Sequence, residues 1–180
     1  MADRRALFLD RDGVINVDHG YVHRKEDFEF VDGIFDLVAH AHKLGYLVII
    51  VTNQAGIGRG YYSEETFLQL MDWLAQVFAE RDGCIDKVYF CPYHPKHGIG
   101  HYRQASPFRK PAPGMILSAI REFGIDPAVS VLVGDKPGDI AAGRAAGVGT
   151  NLLFRGGALC GAISIDKLSQ VLPYLSPVAE

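Results

Sequence analysis

The sequence predicts an α/β fold, a doubly wound parallel sheet, and three observations predict it. Short strand-like runs at Ala6–Leu9, Tyr46–Val51, Lys87–Phe90, Val129–Val133 and Gly149–Leu153 alternate with segments of helical periodicity. Parallel neighbours need crossover helices, so such alternation implies a parallel sheet. The central runs are apolar at successive positions, as strands covered on both faces are. Several runs also end abruptly in polar clusters, at Asp10-Arg11-Asp12-Gly13, Thr52-Asn53-Gln54 and Gly134-Asp135. In an open α/β sheet, ligands sit beyond the carboxyl ends of the strands.

Each element has a local reason. The first run delivers Asp10 and Asp12, which share a face if the backbone stays extended, and Gly13 permits a steep exit. An acid-rich turn closing an edge strand would read the same way. Residues 13–30 lack a period and read as an irregular flap, with Asp18-His19-Gly20-Tyr21 either touching a ligand or forming a surface turn. From Gly33 to Leu44 the apolar positions Ile34, Leu37, Val38 and Ala41 recur at helical spacing, stopped by Gly45. Gly56-Ile57-Gly58-Arg59-Gly60 meets neither nucleotide-binding glycine spacing and reads as a flexible hinge. Ser63 caps a helix running to about Ala79, in which Trp73 is a packing residue. Residues 91–113 hold Cys91, His94, His97 and His101 among prolines, either four zinc ligands or a proline-stiffened loop with incidental histidines. Helices follow at Gly114–Phe123, Ile140–Ala146 and Asp166–Leu172.

At 180 residues the chain has the size of a single domain, 1–180, and a 48% hydrophobic composition fits a globular protein. The balance of 18 basic against 21 acidic residues offers no polybasic surface, so nucleic acid is not the expected partner. No apolar segment is long enough for a signal or a membrane span, which points to the cytoplasm, with no membrane partner. Three cysteines, at 84, 91 and 160, are an odd, sparse set that suggests no disulfide framework.

Two acids, then a hydroxyl, then a cation, then another acid, all at strand ends, form a set suited to phosphoryl transfer. One carboxylate attacks phosphorus, oxygen ligands hold magnesium, and Lys and Thr stabilise equatorial charge. Asp10-Arg11-Asp12-Gly13, Thr52-Asn53, Lys110 and Gly134-Asp135 with Asp139 resemble the four ordered motifs of the haloacid dehalogenase superfamily, over residues 6–154. The stretches around them are similar to the heptose bisphosphate phosphatases, a subfamily related to the histidinol-phosphate phosphatases. The resemblance implies a Rossmann-like core and a magnesium-dependent phosphoric monoester hydrolase. Its substrate would be the C7 phosphate of D-glycero-D-manno-heptose 1,7-bisphosphate, a sugar bisphosphate used in nucleotide-heptose and lipopolysaccharide biosynthesis.

It further implies that Asp10 is the nucleophile, Asp12 the acid and base, and Thr52 and Lys110 the phosphoryl binders. The carboxylates of Asp10 and Asp135 and the backbone carbonyl of Asp12 would hold magnesium. Asp139 would orient Lys110 or the metal shell, or simply cap its helix. Asp18, His19, Gly20, Tyr21, Asn53, Gln54, Arg109 and Lys136 would bind the rest of the substrate. Where many of these relatives carry Cys-x-His and Cys-x-Cys zinc ligands, this chain has Cys91-Pro92-Tyr93 and Ser106-Pro107-Phe108, keeping only the first ligand, so structural zinc is not expected. The segment between Asp12 and Thr52 is filled by a helix and a strand, leaving no room for a cap domain. The site is therefore expected to be open at the sheet edge, and the chain is expected to be a monomer. Histidinol phosphate is the alternative substrate; a DNA 3′-phosphatase module and a non-catalytic phosphosugar-binding module are the further readings.

Overall fold

The computed structural model describes residues 4–177; the outermost residues of the expected 1–180 domain, 1–3 and 178–180, lie outside that range. Six strands form one sheet in the order β3-β2-β1-β4-β5-β6, every neighbouring pair parallel. They are β1 (Ala6–Leu9), β2 (Leu47–Asn53), β3 (Lys87–Cys91), β4 (Val131–Gly134), β5 (Thr150–Phe154) and β6 (Ile163–Ile165). The helices are α1 (Ile34–Lys43), α2 (Ala55–Gly58), α3 (Glu64–Ala79), α4 (Gly114–Phe123) and α5 (Pro137–Ala145). The strand order reverses direction between β1 and β4, so the switch point lies beside Asp10 and Asp135.

The alternation of side chains along each strand divides the core in two. Leu7, Leu9, Val48, Ile50, Val131 and Val133 face one side, against α1, α3 and a 3-10 run at Leu168–Tyr174. Ala6, Phe8, Ile49, Val51 and Leu132 face the other, against α4 and α5. Because both faces are covered, the strands are buried at successive positions, the pattern visible in the sequence as continuous apolar runs. Ser63 caps α3, its Oγ accepting from the Thr66 N–H at 3.0 Å. Trp73 packs edge-on against Phe28 of the flap, as a packing residue does.

Four expectations change. β6 went unseen because it is three residues long with two exposed. The C-terminal segment expected as a helix over Asp166–Leu172 is the 3-10 run 168–174. α5 begins at Pro137 rather than Ile140, with proline at a first-turn position that needs no N–H donor. The glycine-rich stretch is no flexible hinge: Gly56, Ile57 and Gly58 are buried in α2. A Cβ on Gly56 would come within 2.4 Å of the Tyr62 ring, and one on Gly58 within 2.4 Å of the Pro92 carbonyl. These glycines permit close packing.

Among the described residues, the connections at the carboxyl edge carry no additional sheet: the flap has a single 3-10 turn at Lys25–Asp27, and the long loop before α4 has one at Gly100–Tyr102. The rim is therefore built from loops. Phe8→Ala, which empties a fully buried site between β1 and the α4/α5 layer, is expected to cost about 3–5 kcal/mol. The exposed Leu68→Ala should stay within about 0.5 kcal/mol. Urea unfolding midpoints at constant slope would measure both.

Candidate active site

β1 ends at Leu9, one residue before the first acid, although the Asp10 N–H still donates to the Val133 carbonyl at 3.1 Å. The chain then turns: the carbonyl of Arg11 accepts from the N–H groups of Val14, Ile15 and Asn16. Asp10 and Asp12 both line one cleft of about 400 Å³, but a tight turn brings Asp12 there, not a continued strand. Gly13 sits in the turn at φ +97°, and a Cβ on it would lie 2.2 Å from Asp135 Oδ2. Only glycine allows this turn to close against the end of β4.

Lys110 reaches the same point from the long loop. Its Nζ lies 2.7 Å from Asp10 Oδ1, 2.7 Å from Asp139 Oδ1 and 2.7 Å from the Val51 carbonyl. Asn53 clasps its backbone, with Nδ2 donating to the Lys110 carbonyl at 3.1 Å and Oδ1 accepting from the Lys110 N–H at 3.0 Å. Asp139 serves both functions considered for it: Oδ1 pairs with Lys110, while Oδ2 accepts from the N–H groups of Asp135 and Lys136 at the start of α5. Burial works to lower the Lys110 pKa, but the Asp10 and Asp139 charges outweigh it and hold the ammonium above its ordinary value.

Asp12 is held differently. Its Oδ1 accepts from Arg11 Nε at 3.1 Å, from Arg11 Nη2 and from Asn16 Nδ2 at 3.1 Å. Its Oδ2 accepts from Gln54 Nε2 at 3.0 Å, and the same amide nitrogen donates to Thr52 Oγ1 at 2.8 Å. Tyr62 donates its hydroxyl to Gln54 Oε1 at 2.6 Å. Arg11 and Tyr62 were not singled out from the sequence. Arg11 is wholly buried, paired with Asp12 and donating to the Val22 carbonyl at 2.6 Å. Its placement between two acids was the available signal, but strand alternation would have turned it away.

The cleft is also lined by Asp18, Gly20, Tyr21, Asn53, Gln54, Arg109 and Lys136. Lys136 bridges to Asp18 at 3.2 Å across the mouth, and Arg109 Nη1 donates to the Tyr93 carbonyl at 3.3 Å. Burial works to lower the Lys136 pKa, and the charges of Asp135, Asp18 and Asp10 raise it above its ordinary value. His19 is the exception: it faces a neighbouring hollow and pairs with Glu29 at 2.8 Å. Gln54, expected to bind substrate, spends its amide on Asp12, Thr52 and Tyr62.

The arrangement fits a divalent cation. Asp135 Oδ1 is buried without a hydrogen-bond partner, and Asp10, Asp135 and Asp139 each place an oxygen within 4.8 Å of the others. Burial pushes the Asp10 carboxyl up to about 8; Lys110 opposes this, and the charges of Asp139 and Asp135 add to it. Burial likewise raises Asp135, Lys136 opposing and Asp139 adding. With both Asp139 oxygens committed, Asp10 and Asp135 are the carboxylates free to hold a hard cation, an all-oxygen set that suits magnesium. The Asp12 side chain lies outside this set, its oxygens taking hydrogen bonds from Arg11, Asn16 and Gln54. Cys91, His94, His97 and His101 form no such group among the described residues.

A family model described as HAD-hydrolase-like matches residues 107–162. The chain is 64% identical over 150 residues to D-glycero-alpha-D-manno-heptose-1,7-bisphosphate 7-phosphatase of Burkholderia mallei, covering 83% of this chain and 79% of the relative. It is 53% identical over 152 residues to the Vibrio cholerae D-glycero-beta-D-manno-heptose-1,7-bisphosphate 7-phosphatase, covering 84% and 82%. The D,D-heptose 1,7-bisphosphate phosphatase from B. bronchiseptica, solved with magnesium and phosphate, superposes with a TM-score of 0.83 at 27% identity, covering 95% of this chain and 97% of its own.

Two outcomes test the cation site. Millimolar magnesium should raise the Tm of the native protein. Gly13→Ala, which adds about 1–2 kcal/mol of backbone strain and displaces Asp135, should lose most of that rise. Elemental analysis of protein purified without added metal should find zinc well below stoichiometry.

Proposed function

The chain belongs to the heptose-1,7-bisphosphate 7-phosphatase family of haloacid dehalogenase-like hydrolases, and from that premise we propose that it removes the C7 phosphate of D-glycero-D-manno-heptose 1,7-bisphosphate. The observation that carries the reading is Lys110 Nζ held 2.7 Å from both Asp10 and Asp139, in a cleft that also presents Asp12, Arg109 and Lys136.

In this reading Asp10 attacks phosphorus, forming an acyl phosphate as the bond to the C7 oxygen breaks. Asp12 gives its proton to that leaving oxygen, then takes one from the water that hydrolyses the aspartyl phosphate. Lys110 and Thr52 bind the phosphoryl oxygens, and Asn53 fixes the loop that carries Lys110. The carboxylates of Asp10 and Asp135 and the carbonyl of Asp12 would hold magnesium, which when bound offsets the charge gathered on the phosphoryl group and on the buried acids. Breaking the Lys110 pair by removing one partner would leave buried charge uncompensated, at about 3–5 kcal/mol.

Arg109 and Lys136 stand at the cleft as two further cations, suited to the second phosphate of a bisphosphate. Asp18, Gly20 and Tyr21 line the open side and are placed to meet the sugar. This favours the sugar bisphosphate over histidinol phosphate, whose amine those cations would repel. No described helix is long and apolar enough to cross a membrane. We further propose that the chain works as a single-domain, cytoplasmic monomer.

Phosphate release from the α and β anomers of the heptose bisphosphate, compared with histidinol phosphate, tests the assignment. Magnesium-dependent turnover of a heptose bisphosphate is expected, with histidinol phosphate a poor substrate; the reverse preference would overturn it. Asp10→Asn should lower kcat by at least about a thousandfold, because the nucleophile is removed.

A further inference from the structure

The two oxygens of Asp12 are not equivalent. Oδ1 is surrounded by three donors, the two Arg11 nitrogens and Asn16 Nδ2, which occupy the directions in which it can accept. Oδ2 receives one donor, Gln54 Nε2 at 3.0 Å, and keeps a lone pair for a proton. The Gln54 amide is in turn pinned. Flipped, it would set its carbonyl oxygen against the Asp12 carboxylate oxygen, acceptor against acceptor. The Tyr62 hydroxyl, 2.6 Å from Gln54 Oε1, anchors the other end of the amide and so fixes where its nitrogen lies. Tyr62 is fixed by its own packing: its ring stacks on His23 with centroids 4.8 Å apart and fills the space where Gly56 lacks a side chain. Burial, with the Asp12 charge adding and Arg11 opposing, keeps the hydroxyl protonated up to about 12, so it remains a donor.

We propose that Tyr62 and Gln54 are positioning residues that aim Oδ2 of Asp12 at the leaving oxygen, Tyr62 acting wholly through the Gln54 amide. Neither residue moves a proton itself. The proton travels from Asp12 Oδ2 to the departing alkoxide, and is later regained from water at the same atom. Gln54 supports catalysis through Asp12, and its amide couples the acid to the Thr52 hydroxyl. The inference rests on the phosphatase reading above.

The test separates esters by their need for an acid. A sugar phosphate leaves as an alkoxide that must be protonated, whereas p-nitrophenyl phosphate releases a stable anion that does not. Because kcat/KM covers steps through the departure of the leaving group, the ratio of kcat/KM for the two esters reports the acid where KM for the sugar ester is unchanged; a fall carried by a raised KM marks a lost sugar contact and overturns the inference. Gln54→Met should lower that ratio about tenfold or more, and Tyr62→Phe about threefold or more, within the 10²–10⁴ that a general acid contributes. Tyr62→Phe retains the ring and its packing, and unchanged magnesium stabilisation of each variant verifies an intact fold. Equal loss on both esters, or no loss on either, overturns the inference while the phosphatase reading stands. Failure of the native protein to hydrolyse either ester with magnesium overturns both.

Discussion

The structure turns on one ammonium group. Lys110 Nζ sits between two buried carboxylates and a strand-end carbonyl, each at 2.7 Å, and thereby ties β1, β2, α5 and the loop before α4 to one point. Three acids crowd the end of a parallel sheet, where low polarity magnifies their repulsion. Lys110, and more distantly Lys136 at 3.9 Å from Asp135, compensate part of that charge. Burial raises the Asp10 carboxyl, with the charges of Asp139 and Asp135 adding, and the buried, unpartnered Asp135 Oδ1 leaves a place for a second cation. Charge neutrality at this point thus links the fold to the chemistry: the elements that pack the sheet deliver the acids, and the acids demand a cation.

Close approach of backbone makes that cluster possible. A Cβ at Gly13 would collide with Asp135, and one at Gly134 would lie 2.2 Å from the Cβ of Asp139. Both glycines are at strand ends beside the switch point, where adjacent crossovers leave in opposite directions and open a crevice. Side chains small enough to vanish allow carboxylates from three segments to meet around one site. The rim is assembled from loops, so recognition falls to a few side chains at the mouth, with Lys136 and Asp18 facing each other across it.

The nucleophile and the proton carrier are separated by environment as well as by position. Asp10 is buried beside Lys110, whereas Asp12 lies among donors from Arg11, Asn16 and Gln54, with part of its carboxylate open to the cleft. Two carboxylates two residues apart could share one role; distinct hydrogen-bond shells give them two. The wholly buried Arg11 is the residue that makes this division possible, since its guanidinium fills one oxygen of Asp12 and leaves the other available.

The sequence by itself determined the parallel sheet, the covered strands, the polar strand ends and the four motifs, because burial leaves a local imprint in apolar periodicity and a reactive site leaves a local imprint in residue type. The capping of α3 by Ser63 and the packing of Trp73 were legible for the same reason. Tertiary structure alone decided which polar groups found one another. Nothing local to Asp139 says that one oxygen caps a helix while the other holds Lys110; nothing near His19 says that it turns to Glu29; and nothing local to Gln54 says that its amide joins Tyr62 to Asp12. β6 escaped because three residues carry no period, and the glycines of α2 looked loose because the ring and carbonyl that fill their missing side chains come from other segments. Hydrophobic burial is a property of a segment, whereas the partner of a hydrogen bond is set by the approach of distant segments, and that approach exists only once the chain has folded.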